Sequence, residues 1–362
     1  MLILSADVSA LSNISAESAV LLNADTHEGI YDKNMHKVSS MASTTKIMTA
    51  ILAVESGKLN CTVEAKHNFY TEGTAIGIKK GYVCTLENLV YAMMLESGND
   101  AAVLVAEFLS GSEKDFSLLM NKKAKEIGMN STNFVTASGL DDKHHYTTAY
   151  DMAVLGAYAI KNPVFRKICS EKIYSFELIK PEISFTFNNH NKLMGYYEGV
   201  FGIKTGFTKK SGRCLVSSCE KDGAVLVAVT LNAPDDWNDH IKLYNYGYDS
   251  LKSVNISQDI PDEIRVYGSD KEVVSIGIFS ETFKSFNNQN IRYEVYLNKW
   301  LYAPIKKQDV VGYVKIYNSA SEVNTIEIKA LENAECYFSD KQPEYKFRYK
   351  MKKVLVKLKG WN

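Results

Sequence analysis

The feature that most constrains the fold is a pair of apolar runs, Cys214 to Cys219 and Ala224 to Leu231, joined by Lys221-Asp222-Gly223. Both runs have strand length and the link carries turn residues, so they predict an antiparallel hairpin. A third apolar run, Ala19 to Asn23, lies far upstream and is followed by the turn Asp25-Thr26-His27-Glu28-Gly29 and then Ile30-Tyr31, a second hairpin. Between the hairpins the apolar period is helical. Ile47, Met48, Ile51, Leu52 and Val54 share a face and Gly57 supplies a stop. Leu89, Val90, Met93 and Met94 follow a capping Thr85, an apolar helix starts near Asp100, and 147–160 reads as another, with 241–251 as a closing helix. Strands at both ends and helices between them predict a mixed α/β domain whose antiparallel sheet is assembled from its two ends and flanked by helices.

Beyond Ser253 the texture changes to short β-rich runs (264–267, 292–297, 311–317) separated by Asn, Gly, Ser and Lys turns, which predicts a small all-β domain. A chain of 362 residues exceeds the usual size of one core. The expected division is an N-terminal segment at 1–16, an α/β domain at 17–252, a β-rich domain at 253–345 and a basic tail at 346–362. Lys plus Arg (42) equals Asp plus Glu (42), so no overall field draws the molecule to nucleic acid. The basic charge is local: seven cations between Lys346 and Lys359 have no acid among them. The six cysteines lack CxxC spacing and read as mostly buried thiols, and the seven histidines form no metal-spaced cluster, so no metal or cofactor is implied. His144-His145 reads as a loop pair. No apolar run reaches the roughly 18 residues of a spanning helix. Met1 to Ala10 has a short apolar start without the positive n-region of a signal peptide, and reads as a leader remnant or a mature end with an added methionine.

Three short signatures stand in order: Ser43-Thr44-Thr45-Lys46, Ser97-Gly98-Asn99 and Lys204-Thr205-Gly206. Each alone is weak, since Ser218 to Lys221, Ser131-Thr132-Asn133 and Ser285-Phe286-Asn287 repeat the patterns. Context separates them. Ser43 opens a helical stretch, which brings Lys46 one turn along on the same face, whereas Ser218 sits in a strand and turn where that offset splays the side chains.

A serine hydroxyl is a poor nucleophile at neutral pH, and a lysine can take its proton only if burial or nearby cations depress the amine's pKa. Lys46 is placed to be that base. Lys204 would be the second cation and would attract a substrate carboxylate, Ser97 would relay a proton to the departing amine, and Asn99 would orient Lys46 and bind the substrate amide. Thr205 offers a hydroxyl to a terminal carboxylate. Gly206 would let a substrate backbone approach the strand edge. The oxyanion would sit between the backbone N–H groups of Ser43 and Phe207.

With the phrases 41–50 (MASTTKIMTA), 95–107 (LESGNDAAVLVAE), 138–156 (SGLDDKHHYTTAYDMAVLG) and 199–216 (GVFGIKTGFTKKSGRCLV), the chain resembles the low-molecular-mass penicillin-binding proteins of the S11 serine peptidase family over roughly residues 17 to 252. The β-rich remainder is similar to the domain those enzymes carry after the catalytic one. The resemblance implies a DD-peptidase/β-lactamase-type catalytic fold. It also implies release of the terminal D-alanine from peptidoglycan stem pentapeptides through an acyl-enzyme, inhibition by β-lactams, and action outside the cell, at the outer face of the cytoplasmic membrane or in the wall. By motif, Ser43 is the nucleophile, Lys46 the base, Ser97 the second catalytic serine and Lys204 a substrate-binding residue. Some members carry an arginine near the segment 235–240. None stands there, so the carboxylate contact is expected to rest on Lys204 and Thr205. The tail also fits the family: Phe347, Met351, Leu355, Leu358 and Trp361 share a helical face among lysines, as a membrane-contacting segment requires, although alternation at 346–352 also suits an edge strand.

Two other readings share these features. A serine β-lactamase would need a deacylating Glu in an E-x-x-L-N arrangement beyond the S-x-N motif, which is missing there, and a non-catalytic peptidoglycan or β-lactam sensor would bind without turnover.

Overall fold

The structure, a computed structural model, describes residues 11, 13–221, 223–278, 282–285, 291–318 and 321–337. The chain divides into two compact units, 1–251 and 252–362. The basic tail expected at 346–362 and the first ten residues lie outside the described residues.

The first unit is built on a five-stranded antiparallel sheet, in the order β2 (Gly29–Lys33), β1 (Ser18–Asn23), β9 (Ala224–Leu231), β8 (Gly212–Lys221), β7 (Val200–Thr208). Both expected hairpins are present, and β1 pairs with β9 from Ser18 opposite Leu231 to Asn23 opposite Leu226, which joins the two ends of the unit. All six residues of β1 are buried because helices cover both faces of the sheet. That is why the run reads as continuously apolar instead of alternating.

The helical layer between the hairpins contains α1 (Lys46–Glu55), α2 (Leu86–Leu95), α3 (Asn99–Ser110), α4 (Glu113–Glu126), α5 (Ala149–Ile160), α6 (Pro163–Ser170) and the short α7 (Leu193–Tyr196). Thr85 caps α2 by accepting the Asn88 N–H at 3.2 Å, and Thr148 caps α5 by accepting that of Asp151 at 3.0 Å. Each such cap contributes about 1 kcal/mol. Sequence periodicity missed α4 and α6. Their apolar residues are sparse, and the signals were in the caps: Ser112 accepts from Asp115, and Asn162 precedes a proline at the first helical position. It also missed the small hairpins β3 (Thr62–Glu64) with β4 (Val83–Thr85) and β5 (Ile173–Glu177) with β6 (Ser184–Asn188).

The closing helix α8 (Asp236–Asp249) begins five residues before the expected start, with Asp236 and Asp239 in its first turn, where carboxylates suit the helix dipole. It docks on the face of the sheet opposite α5 through a buried polar network. Ser217 Oγ lies 2.6 Å from both His240 Nδ1 and the Tyr244 hydroxyl, and Thr230 Oγ1 lies 3.0 Å from His240 Nε2. Burial pushes His240 down to about 3, so the ring is neutral and can both donate and accept.

The second unit, taken by itself, is all β among its described residues apart from one short 3-10 turn. Its six-stranded sheet runs β14 (Ile291–Leu297), β16 (Val310–Asn318), β17 (Ser321–Ala330), β12 (Val273–Gly277), β11 (Glu263–Tyr267), β15 (Leu301–Tyr302), and β10 (Lys252–Asn255) pairs separately with β13 (Thr282–Ser285). Its own core is formed by residues such as Val266, Val274, Val314, Ile316 and Ile328.

Of the six cysteines, all unpaired, Cys84, Cys169, Cys214 and Cys219 are buried as expected, whereas Cys61 is exposed and Cys336 partly so. The buried thiols are pushed up by desolvation and are chemically quiet.

Candidate active site

Ser43 lies in a 3-10 turn, Ala42–Thr45, that runs directly into α1, so Lys46 is the first α-helical residue. The three-residue offset brings the Lys46 Nζ to 2.8 Å from Ser43 Oγ. The same amine donates to Asn99 Oδ1 at 2.7 Å and to the Ser138 carbonyl at 2.7 Å. Asn99 is oriented in turn, because its Nδ2 donates to the Glu72 carbonyl at 2.6 Å and leaves the oxygen to face Lys46. Two of the three partners of Lys46 can therefore only accept. A neutral amine spends its two N–H groups on them, and its lone pair points at the Ser43 hydroxyl.

Burial favours that neutral form. Lys46 is fully buried, and its pKa is held well below the ordinary lysine range first by desolvation and then by the charge of Lys204, with Asp100 opposing. Lys204 is itself buried and is lowered to about 7 by desolvation, against the opposing charge of Glu96.

The Ser97 turn is clamped from behind. Buried Asp100 accepts four backbone N–H groups, from Ile76, Gly77, Ile78 and Ala101, at 2.8 to 3.0 Å. The Asn99 N–H adds a bond to the Thr74 carbonyl. This tethers the 72–78 loop to the start of α3 and holds Ser97 at φ 69°, a left-handed conformation that costs a non-glycine residue about 1–3 kcal/mol. Ala42, just before Ser43, has φ 47°.

A second clamp acts on the 136–145 loop. His145, buried, accepts from the Val135 and Thr136 N–H groups through Nδ1 and so carries its proton on Nε2, which donates to Thr45 Oγ1 at 2.8 Å. Burial pushes it down to about 4, which keeps this tautomer neutral. Both residues of the expected loop pair lie in this loop: His144 is exposed, while His145 pins the segment carrying the Ser138 carbonyl against the Ser43 turn. At Gly139, φ is +87° and an added Cβ would stand 1.9 Å from the Ala42 carbonyl, so no other residue fits there.

The opposite wall is β7, an edge strand of the sheet among the described residues. Gly206 is where this strand meets the Ser43 turn: a Cβ would lie 3.0 Å from the Ser43 nitrogen and 3.1 Å from that of Thr44. The glycine therefore admits the turn's own backbone. Lys204 and Thr205, being consecutive, face opposite sides of the sheet.

A further correction concerns arginine. Arg213 of β8 pairs directly opposite Phe207, so it shares the Thr205 and Phe207 face and points toward the start of α8. There Asp236 accepts from its Nε at 3.0 Å and its Nη2 at 2.6 Å, and the guanidinium lies 5.4 Å from the Trp237 ring centroid. A guanidinium is thus available beside 235–240, supplied by another element; counting across the β7–β8 hairpin could have found it.

Ser43 sits where two cavities meet. One, about 350 Å3, is lined by Ser97, Thr205, Gly206 and Phe207 together with His190, Lys192, Arg213, Asp236 and Trp237. The other, about 650 Å3, is lined by Glu72, Asn99, Gly139, Asp141, Phe207 and Lys209 among others. His190 lies 3.7 Å from Glu96, and burial, then the Lys204 charge, hold its pKa below the ordinary histidine range. The eight residues singled out from the sequence converge here, with Lys204 buried behind the cavity surface. The sequence reading missed Asp100, His145, Arg213, His190 and the Ser138 carbonyl.

Residues 5–235 match the family model for D-alanyl-D-alanine carboxypeptidases, and residues 252–335 match that for the C-terminal domain of penicillin-binding protein 5. The chain is 31% identical over 313 residues to the D-alanyl-D-alanine carboxypeptidase DacF of Bacillus subtilis, covering 82% of this chain and 80% of that protein. It is 29% identical over 348 residues to DacC of Escherichia coli, covering 89% and 85%. Among solved structures, penicillin-binding protein 5 from Haemophilus influenzae superposes with a TM-score of 0.63 at 27% identity over 89% of this chain and 98% of that one. Penicillin-binding protein D2 from Listeria monocytogenes, in its ampicillin-bound form, does so with a TM-score of 0.59 at 28% identity over 66% and 99%. With the family model matched over 5–235 and a relative 31% identical over 82% of the chain, the chain belongs to the D-alanyl-D-alanine carboxypeptidase family, serine hydrolases of the penicillin-binding-protein type.

Proposed function

We propose that the chain removes the terminal D-alanine from peptidoglycan stem pentapeptides through an acyl-enzyme on Ser43, that β-lactams acylate the same oxygen, and that catalysis belongs to residues 17–252. The observation that carries this reading is the Lys46 amine, whose two obligate acceptors, Asn99 Oδ1 and the Ser138 carbonyl, leave its lone pair for Ser43. The Ser43 proton passes to Lys46 as Oγ attacks the carbonyl of the penultimate D-alanine. The N–H groups of Ser43 and Phe207 receive the oxyanion, a contribution of about 3 kcal/mol per donor. The C–N bond breaks as the amine of the departing D-alanine takes a proton through Ser97, and water then attacks the ester with Lys46 again accepting a proton. Lys204 keeps Lys46 neutral by its charge and Thr205 offers a hydroxyl to the substrate. Incubation with benzylpenicillin followed by mass spectrometry tests the reading: a persistent adduct on Ser43 together with D-alanine release from a D-Ala-D-Ala peptide is expected. Rapid drug turnover would instead indicate a β-lactamase, and an adduct without D-alanine release a sensor.

The substrate class implies export and work at the outer face of the cytoplasmic membrane or in the wall, as part of cell-wall biogenesis and the control of cell shape. No helix among the described residues is long and apolar enough to cross a membrane. We assign membrane contact to the basic amphipathic tail at 346–362, on its sequence pattern. Binding to anionic liposomes that weakens with salt and is lost on deleting 346–362 is expected; unchanged partition after the deletion refutes it.

A further inference from the structure

We infer that the groove between the β5–β6 hairpin and α7 is a second binding site, which takes a glycan strand of the polymer that carries the substrate. Sugar rings lie on Tyr196 and Ile173, and carboxylates of the strand meet Lys172 and Lys192. This rests on the peptidoglycan reading above and adds to it a contact outside the catalytic cleft. The groove encloses about 410 Å3 and shares Lys192 with the smaller of the two cavities at Ser43, so its occupant lies next to the reacting chain. Its lining contains two lysines and no acid, which selects an anionic ligand. The lining also supplies an apolar platform: Tyr196 is 71% exposed, Ile173 59%, and Met194 is half-buried. A sugar ring has an apolar C–H face for such a platform, and hydroxyl and acetamido groups at its edge for the amide of Asn188. A glycan strand of the wall carries the rings and, wherever a stem peptide has been removed, a free lactyl carboxylate.

The groove has a fixed floor and a free rim. Strand alternation sends Tyr174 and Phe176 of β5 inward, where Tyr174 stacks on Tyr91 of α2 with ring centroids 3.6 Å apart, and leaves Ile173 outside. Asn188 pairs directly opposite Ile173 in the hairpin and shares its outward face. Two asparagines pin the floor. Asn189 Nδ2 donates to the Cys169 and Glu171 carbonyls at 3.2 and 3.0 Å. Buried Asn191 donates from Nδ2 to the Gly202 carbonyl at 2.6 Å, and its Oδ1 accepts from the Leu193 N–H at 3.1 Å. Gly202 stands two residues before Lys204 on β7, so the groove is tied to the strand that walls the catalytic cleft. Lys172, Asn188, Lys192 and Tyr196, by contrast, are all exposed. A floor tied to the sheet preorganises the rim and lowers the cost of ordering a ligand there.

The test compares soluble glycan strands bearing pentapeptide stems with a diacylated Lys-D-Ala-D-Ala peptide, in the full chain and in Tyr196→Ala and Lys172→Glu. In the wild type, KM per stem should be lower for the strands. Both variants should raise KM for the strands about 3- to 10-fold with kcat unchanged, and leave turnover of the short peptide as it was. Added salt should shrink the advantage of the strands, because exposed lysines are screened. Binding is read separately by titrating peptide-free strands, which offer nothing to cleave, into the full chain; saturable binding that weakens in both variants is expected. Variants that keep the wild-type KM for the strands overturn the inference, and an equal fall on both substrates counts against it as damage to the fold. Uncharged chitin oligosaccharides, or a polyol phosphate polymer, binding as tightly as the peptide-free strands also overturn it. Absence of D-alanine release from either substrate sinks the carboxypeptidase reading, a failure distinct from one seen in the strand titration alone.

Discussion

Ser43→Ala is expected to lose D-alanine release by at least about 10,000-fold while folding as the wild type does. On the proposed mechanism the loss is large because the hydroxyl is the atom that forms the ester; without it Lys46 has no proton to remove, and only direct attack by water in the bound geometry remains. The fold is spared because the change deletes a single oxygen from a turn whose other contacts are untouched. Thr44 still donates from Oγ1 to the Met41 carbonyl at 2.6 Å, Thr45 keeps His145, and Lys46 keeps Asn99 and Ser138. Activity on a D-Ala-D-Ala peptide, benzylpenicillin labelling and the melting temperature should be measured on one preparation. Labelling should vanish, and the melting temperature should stay within the small range of a neutral substitution. Wild-type activity in the variant would move the nucleophile elsewhere in the chain.

Lys46→Met is expected to lower acylation by about 100- to 10,000-fold, the range for removal of a positioned general base. Methionine matches the length of the lysine stem, so packing around the start of α1 is retained, but Asn99 Oδ1 and the Ser138 carbonyl each lose a buried donor at a cost of about 1–3 kcal/mol. Removal of a fully desolvated amine offsets part of that. The pH dependence separates the two effects. Burial and Lys204 depress the folded-state pKa of Lys46 far below the 10.5 of an exposed lysine. Between those two values the unfolded chain binds the extra proton, so this group makes stability rise with pH until the unfolded lysine also deprotonates. Lys204, at about 7 when folded, adds a slope of the same sign above that pH. Melting curves on either side of neutrality should show the wild type gaining stability toward alkaline pH, and Lys46→Met should flatten this dependence, with the Lys204 part remaining. An equally steep dependence in both proteins would mean that Lys46 is not desolvated as described, and unimpaired acylation would remove it as the base.

Much of the site is legible in the linear order of residues wherever chemistry depends on local spacing. Ser43 and Lys46 are three residues apart at the start of a helix, and backbone geometry alone puts amine against hydroxyl. Other parts are illegible for specific reasons. The third ligand of Lys46 is a backbone carbonyl, Ser138, and any residue at that position offers the same atom. Asp100 follows the Ser97-Gly98-Asn99 motif and looks like an ordinary first-turn acid; only the return of the 76–78 loop turns it into a clamp for four amides. Arg213 stands seven residues beyond Gly206 and is legible only once the β7–β8 register is counted, which puts it opposite Phe207 and beside the same cleft.

By itself the sequence determined the α/β class of the first unit, the β class of the second, and the juxtaposition of Ser43 and Lys46, because apolar period and i, i+3 spacing are read within a few residues of chain. Tertiary structure decided which loop carbonyl completes the lysine's coordination, which glycine admits the nucleophile turn, and which cations face each cavity. Those are matters of strand register and loop return, in which residues tens to more than a hundred positions apart meet, and no short-range pattern encodes such meetings.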